Sequence, residues 1–504
     1  MSTGDLKVLW PGYQLPEGLA RSILRDNPWW EGAPSRVLPP RRRRFVDEIH
    51  RSLEQKLAPI TVVRGPRQVG KTTAQLQVIN DLLGRGVPPS HMLRVQFDDL
   101  AGLGKLADPI LRIVDWYEHT VLHRTLNEVA HAGDRTYLFF DEVQNLRDWA
   151  PQLKHLVDHA TTQVVVTGSS ALRIAVGHDS LAGRIRTLEV GTLTLSEIAS
   201  IRFERTLPVA LPINGIDRIG HQATWVELRA LASAHRELRD LAFEAFAERG
   251  GYPLVHDRPD QPWAEIAAQL NENVIRRVIV HDLRLGDRGR RRDKTLLEEI
   301  FRLGCRYAGQ APSVAILARE LQRALNANVG PQKIRKYLEF LDLALLLRLV
   351  DPLELRLKRS HGAPKLCLAD HGLRASWLQE PIALTPEALA RRPEDSDLAG
   401  RIAESIVGTF LVTSIGGDQI KHFPERSGEP EVDFVIVSGS VRIPVEVKYR
   451  RRINALEDTA GLRSFIEKAT YRAPFGILVT QNDAPTVTDP RIVELSLSSL
   501  LMLK

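Results

Sequence analysis

Between Pro59 and Val190, short apolar runs alternate with segments whose apolar residues recur at helical spacing. The runs are Ile60–Val63, Met92–Phe97, Tyr137–Phe140 and Val164–Thr167, rich in β-branched and aromatic side chains. Short runs of this composition predict strands, and the helical segments between them predict crossovers. The two together predict a parallel sheet. Residues 220–300 are helical by period and broken at Gly250-Gly251-Tyr252-Pro253. Residues 305–375 read as helix, turn, helix and a short β-like stretch. From 398 to 504 the pattern returns to mixed α/β, with strands expected at Val432–Val437, Arg442–Lys448 and Phe475–Thr480. The expected fold class is α/β, divided into an N-terminal segment (1–45), a parallel-sheet core (46–215), a helical lid-like region (216–300), a helix-turn-helix region (301–385) and a second α/β domain (386–504).

With 504 residues the chain is too long for one hydrophobic core. A formal net charge of +6 permits nucleic-acid binding without arguing for it, because only clustered charge makes a phosphate-binding face. Two such clusters stand out. One is the run Arg41 to Arg44, which a solvated face or helix start also explains; the other is Arg288, Arg290, Arg291, Arg292 and Lys294. Cys305 and Cys367, the two cysteines, lie among apolar residues and read as small buried hydrophobes. No apolar core follows a basic segment at the N-terminus, and the most apolar stretch, Phe340 to Val350, is interrupted by Asp342 and Arg348. A cytoplasmic protein without a membrane partner is expected.

Three features carry chemistry. Gly65-Pro66-Arg67-Gln68-Val69-Gly70-Lys71-Thr72 matches G-x-x-x-x-G-K-[ST], with an apolar strand before it and a helical segment, including Thr73, after it. Its glycines allow backbone N–H groups to curl around phosphate oxygens. Lys71 would reach the β- and γ-phosphates of ATP, and the Thr72 hydroxyl would ligate Mg2+. The second feature is Tyr137-Leu-Phe-Phe-Asp141-Glu142, a buried strand with two carboxylates at its carboxyl end. Asp141 would hold Mg2+ and Glu142 would orient or deprotonate the attacking water; an exposed turn pair is the alternative. The third, Val164 to Ser170, ends in hydroxyls, so Thr167 or Ser169 can sense the γ-phosphate, although a helix cap explains the serines almost as well. Beyond it, Arg184 is a candidate cation for the transition state, within one chain or across a homo-oligomer interface; a structural salt bridge explains it equally.

At these residues the chain resembles the predicted AAA-superfamily P-loop ATPases of bacteria and archaea that carry a C-terminal domain of unknown function. The resemblance extends through Asn27-Pro-Trp-Trp30, Leu181-Ala-Gly-Arg184, Gly250-Gly-Tyr-Pro253, Pro364 to Gly372, Val432-Asp433 and Val445-Glu-Val-Lys448. It implies ATP binding, a winged-helix segment within 301–385 and a restriction-endonuclease-like fold within 386–504.

The residues behind the core can also be read on their own. Ser313 would cap a helix, and a turn holding Asn326, Asn328, Gly330 and Pro331 leads to a second helix with Lys333, Arg335 and Lys336 on its exposed side. That suits contact with DNA phosphates, although similar helices also bind proteins. Glu446 and Lys448 share one face of a strand, twelve residues after Glu431-Val-Asp433. Asp433 and Glu446, completed by Glu404, would hold a metal while Lys448 activates water, as in a metal-dependent phosphodiesterase. A solvated charge pair is the alternative. The expectation is an ATP-driven switch acting on nucleic acid, with a nuclease-like end. Its rival is a signalling or assembly ATPase whose rear domains only bind. A small-molecule kinase fits less well, because Asp141-Glu142 suits water activation.

Overall fold

The computed structural model describes residues 14–33, 36–55, 57–98, 103, 106–146, 148–168, 181–211, 215–282, 293–354, 362–382, 384–425 and 428–504. The chain separates into two compact units, Met1–Val190 and Gly191–Lys504.

The first unit is built on strands β1 (Ile60–Arg64), β2 (Met92–Gln96), β3 (Tyr137–Asp141), β4 (Gln163–Gly168) and β5 (Ile185–Glu189), all parallel, in the order β2-β3-β4-β1-β5. All five residues of β3 are buried, as expected of a central strand covered on both faces. Helices Phe45–Gln55, Lys71–Gly84, Pro109–Tyr117, Leu126–His131 and Trp149–His159 flank the sheet. Parallel order puts the carboxyl ends of β1, β3 and β4 along one rim, which positions the site described below.

The N-terminal segment is part of this unit. Leu19 and Ile23, from helix Glu17–Asp26, are buried in its core. Strand β2 is an edge, and Asn27 covers its exposed backbone: Nδ2 donates to Arg94 O at 2.7 Å and Oδ1 accepts from Arg94 N at 2.7 Å. Trp30 Nε1 donates to Met92 O at 2.8 Å. An unpaired edge would otherwise invite pairing with another chain.

In the second unit the hydrophobic core runs from Leu193 to Leu503. Leu193, Leu195, Ile198, Leu207 and Leu211 pack there with Trp225, so residues 191–211 share the core of the second unit. The regions 216–300, 301–385 and 386–504 likewise share this unit. Helices Lys294–Arg306, Val314–Leu325 and Pro331–Leu343 lead into an antiparallel pair, β6 (Leu347–Val350) and β7 (Lys365–Leu368). Ser313 Oγ caps the middle helix by accepting from Ile316 N at 3.3 Å.

Helix Ser396–Ile415 then crosses a mixed sheet, ordered β12-β11-β10-β9-β8, of β8 (Ile420–Phe423), β9 (Val432–Ser438), β10 (Val441–Lys448), β11 (Gly476–Thr480) and β12 (Ile492–Ser496). Helix Ser396–Ile415 is long and apolar, and Ile402, Ile406, Val407 and Leu411 on it are buried in the protein core. Leu462 and Phe465, from helix Ala460–Glu467, cover the other face of the sheet. Gly408 allows the closest approach: an added Cβ would lie 2.4 Å from Cys367 Sγ and 2.7 Å from the Phe434 ring. The motif Gly250-Gly251 meets Asp370, whose Oδ2 accepts from Gly251 N and whose Oδ1 accepts from Gly372 N, each at 2.7 Å.

Asn27→Ala removes the cover from the β2 edge and leaves the Arg94 peptide groups unsatisfied. Urea unfolding should show a loss of about 2–4 kcal/mol in the first unit, without loss of the second. An unchanged midpoint would show that the edge needs no cover.

Candidate functional site

The loop from Gly65 to Thr72 leaves β1 and enters helix Lys71–Gly84. Two positions bear its shape. A Cβ at Gly65 would sit 2.4 Å from Val190 Cγ2 and 2.6 Å from Val190 O, and Gly70 has φ +91°. Gln68 also has a positive φ, 63°. The turn therefore exposes the N–H groups that open the helix, an arrangement suited to phosphate. The Lys71 ammonium is buried against the loop, donating to Gly65 O at 2.9 Å and Pro66 O at 2.7 Å. Arg43 supports the loop from outside, donating to Val69 O at 2.7 Å. Arg42 forks onto Asp81 at 2.6 and 2.7 Å. These two members of the arginine run are thus engaged within the protein.

Asp141, at the end of β3, is fully buried and is the hub of the site. Its Oδ2 accepts from Thr72 Oγ1 at 2.8 Å and from Arg94 Nη2 at 3.1 Å, while Oδ1 accepts a short hydrogen bond from Thr167 Oγ1. Gln75 Nε2 reaches Thr167 Oγ1 at 3.3 Å. Strand β4 lies between β1 and β3, which is why Thr167 reaches Asp141. Glu142 follows with φ 53° and accepts from Gln144 Nε2. The other hydroxyl considered as a sensor, Ser169, lies outside the described residues, as do Arg288 and Arg290 to Arg292.

Arg94 and Asp98 are additions that the motifs do not contain. Arg94 is a buried guanidinium inside a mostly apolar run, a signal that an acid lies nearby. Asp98 follows β2; burial and then repulsion from Glu142 raise its pKa, against the pull of Arg67.

Arg184 is not brought to this site. It immediately precedes β5, and its carbonyl accepts from Ile60 N, so it lies at the amino end of the sheet while the phosphate loop leaves the carboxyl end. Its guanidinium forks onto Asp158 at 2.5 and 3.0 Å. Within the chain Arg184 is thus paired with Asp158, at the end of the sheet opposite the phosphate loop.

The residues of the first unit fit a magnesium nucleotide. A crowded glycine turn opens a helix, the Lys71 ammonium lies beside it, and the Thr72 hydroxyl and Asp141 carboxylate stand 2.8 Å apart. A bound magnesium ion supplies charge neutralisation for the phosphate oxygens.

The rear cluster differs from the expectation. Asp433 on β9, Glu446 on β10 and Glu404 on helix Ser396–Ile415 do converge, but the buried Lys365 ammonium stands among them. It bonds closely to Glu404, reaches Asp433 Oδ1 at 3.0 Å and Glu431 Oε1 at 3.4 Å, and lies 5.1 Å from the Phe434 ring centre. Asp433 Oδ2 is taken by Val447 N at 2.8 Å, and Lys448 Nζ donates to Glu446 Oε1 at 2.5 Å. Burial opposes charge on Lys365, yet Asp433, Glu404 and Glu431 hold its pKa above the usual lysine range. Burial and then Asp433 push Glu446 up to about 8 against the pull of Lys448. Among the described residues no group of three or more His, Cys, Asp or Glu is arranged to hold a metal. The set Glu404, Asp433 and Glu446 therefore does not fit a divalent ion as it stands.

Residues 57–199 match the family model of an AAA domain. Residues 240–381 and 399–500 match two domains of unknown function, DUF8612 and DUF4143. Uncharacterized proteins of Mycobacterium bovis and Mycobacterium tuberculosis are each 24% identical over 349 residues, 68% of this chain and 61% of theirs. Among solved structures, the Walker-type ATPase of Pyrococcus abyssi aligns over 68% of this chain and 99% of its own, at 14% identity and TM-score 0.35. A signal transduction ATPase with numerous domains and a tetratricopeptide repeat sensor, from Pyrococcus horikoshii, aligns over 75% of this chain and 49% of its own, at 11% identity and TM-score 0.27. With its glycine loop, Lys71, Thr72 and the acid ending β3, the stretch 57–199 is an AAA-type P-loop ATPase domain.

Proposed function

We propose that the chain binds and hydrolyses ATP with Mg2+ at residues 65–73, 141–142 and 167, and that nucleotide state controls engagement of nucleic acid by the second unit. The observation that carries the reading is the 2.8 Å hydrogen bond from Thr72 to Asp141, which puts the two expected magnesium ligands side by side. In this reading Lys71 holds charge on the terminal phosphates and the N–H groups of Gly65 to Thr72 cradle them. Glu142 takes the proton of the attacking water, and Thr167, bonded to Asp141, senses the γ-phosphate. Arg94 fixes the orientation of Asp141.

For the second unit, the support is a helix-turn-helix followed by the β6–β7 pair, the arrangement expected of a winged helix. Its second helix exposes Lys333, Arg335 and Lys336. Those side chains meet DNA phosphates in this reading. Helix Ser396–Ile415, the meander β8-β9-β10, helix Ala460–Glu467 and the parallel strand β11 follow the order expected of a restriction-endonuclease-like fold. Metal-dependent cleavage has no part in this reading, because a lysine stands among the acids. Arg184 faces away from its own chain's site, so its part in turnover would be in trans, in a homo-oligomer.

Lys71→Ala should abolish ATP binding. Glu142→Gln should still bind ATP but turn it over about 10²–10⁴-fold more slowly. Arg184→Ala should leave turnover of the isolated chain unchanged. A phosphate-release assay with a nucleotide-binding assay checks all three, and normal turnover by the Lys71 or Glu142 variant contradicts the assignment.

Replacing Lys333, Arg335 and Lys336 together by alanine should weaken DNA binding across sequences and reduce the salt slope of log K by about 2–3. Fluorescence anisotropy at several salt concentrations measures this. An unchanged slope, with nucleotide-dependent oligomerisation, would favour the signalling or assembly ATPase instead.

A further inference from the structure

Lys365 lies on β7, in the run Pro364-Lys-Leu-Cys-Leu368. Strand β7 pairs with β6, outside the five-stranded sheet, whereas Glu404 comes from the long helix and Asp433 from β9. The lysine thus joins three elements that are distant in sequence. An isolated ammonium in a protein interior loses several kcal/mol of hydration, so a lysine is buried only where fixed charge replaces water. Here the three N–H donors of the ammonium meet three carboxylates, Glu404, Asp433 and Glu431, and the face of Phe434 lies close by. The close packing around Gly408 holds the long helix against Cys367 and Phe434, so the lysine has little room to swing away.

A magnesium ion held by the same carboxylates needs oxygens at about 2.0–2.1 Å. The Lys365 nitrogen already stands 3.0 Å from Asp433 Oδ1. Ion and ammonium cannot share that space, and both oxygens of Asp433 are engaged. Only Glu446 Oε2 is buried there without a hydrogen-bond partner.

We propose that Lys365 is the resident cation of this cluster, filling the seat that a metal would take in a nuclease. The C-terminal sheet is thereby latched to the β6–β7 pair as a non-cleaving domain. The inference stands apart from ATP turnover, and it is tested without nucleotide.

The experiment uses the full chain carrying Thr72→Ala, to silence the metal seat at the phosphate loop. Mn2+ is titrated and followed by its paramagnetic resonance, together with thermal unfolding. The parent should take up no Mn2+ and keep its midpoint. Lys365→Met should unfold about 10 °C lower in chelator and recover most of the loss with Mn2+. Plasmid nicking in Mg2+ by the wild type should equal that of Glu446→Ala/Lys448→Ala. Mn2+ uptake by the parent that Glu404→Gln or Glu446→Gln abolishes would overturn the proposal, as would nicking that the double variant loses. Lys365→Met that neither loses stability nor gains metal overturns it too. If that variant fails to fold, the parent titration and the nicking comparison decide alone.

Discussion

The Asp141 carboxylate is the constraint on which the first unit depends. It is buried at the end of a fully apolar strand, where an unpaired charge is costly, and it is satisfied by groups from three other elements. Thr72 comes from the helix after the phosphate loop, Thr167 from β4 and Arg94 from β2. Each bond fixes one neighbour, so the strand order β2-β3-β4-β1 and the register of the loop helix are read out at one pair of oxygens. The N-terminal residues extend this arrangement outward, because Asn27 holds the backbone of the arginine that holds Asp141.

The second unit uses a related device to a different end. Asp141 has a cation on one side and hydroxyls, neutral groups that can turn aside, on the other. The rear cluster instead carries its cation internally. Both are buried carboxylates paired by a basic residue, and the difference lies in what faces the remaining oxygen: a hydroxyl at Asp141, a backbone N–H at Asp433. One arrangement suits exchange of ligands and the other suits permanence.

Much of the first unit was legible in the sequence because its chemistry is local. The loop Gly65 to Thr72 and the pair Asp141-Glu142 follow apolar runs, and a parallel sheet places their ends on one rim. Strand β5 was not legible. Its residues Ile185 to Glu189 include two charged and one hydroxyl side chain, because an edge strand needs fewer apolar positions. The rear strands β8 and β12 were hidden for similar reasons, with Lys421 and Glu494 interrupting them.

The partners of Arg94 and Lys365 lie 47 and 68 residues away, so no spacing rule finds them. The available signal was negative: a charge within an apolar run is buried, and a buried charge implies a counterion. Gly251 and Asp370 lie 119 residues apart, and only the fold shows that they close on one another. The division at Val190 was also invisible, since Leu193 to Leu211 are as apolar as the helices before them.

Calorimetric titration of the full chain with ATP, with and without Mg2+, tests the central claim most directly. The account predicts one nucleotide per chain, bound more tightly when Mg2+ is present. No heat of binding, or an affinity indifferent to Mg2+, would contradict the roles given to Thr72 and Asp141.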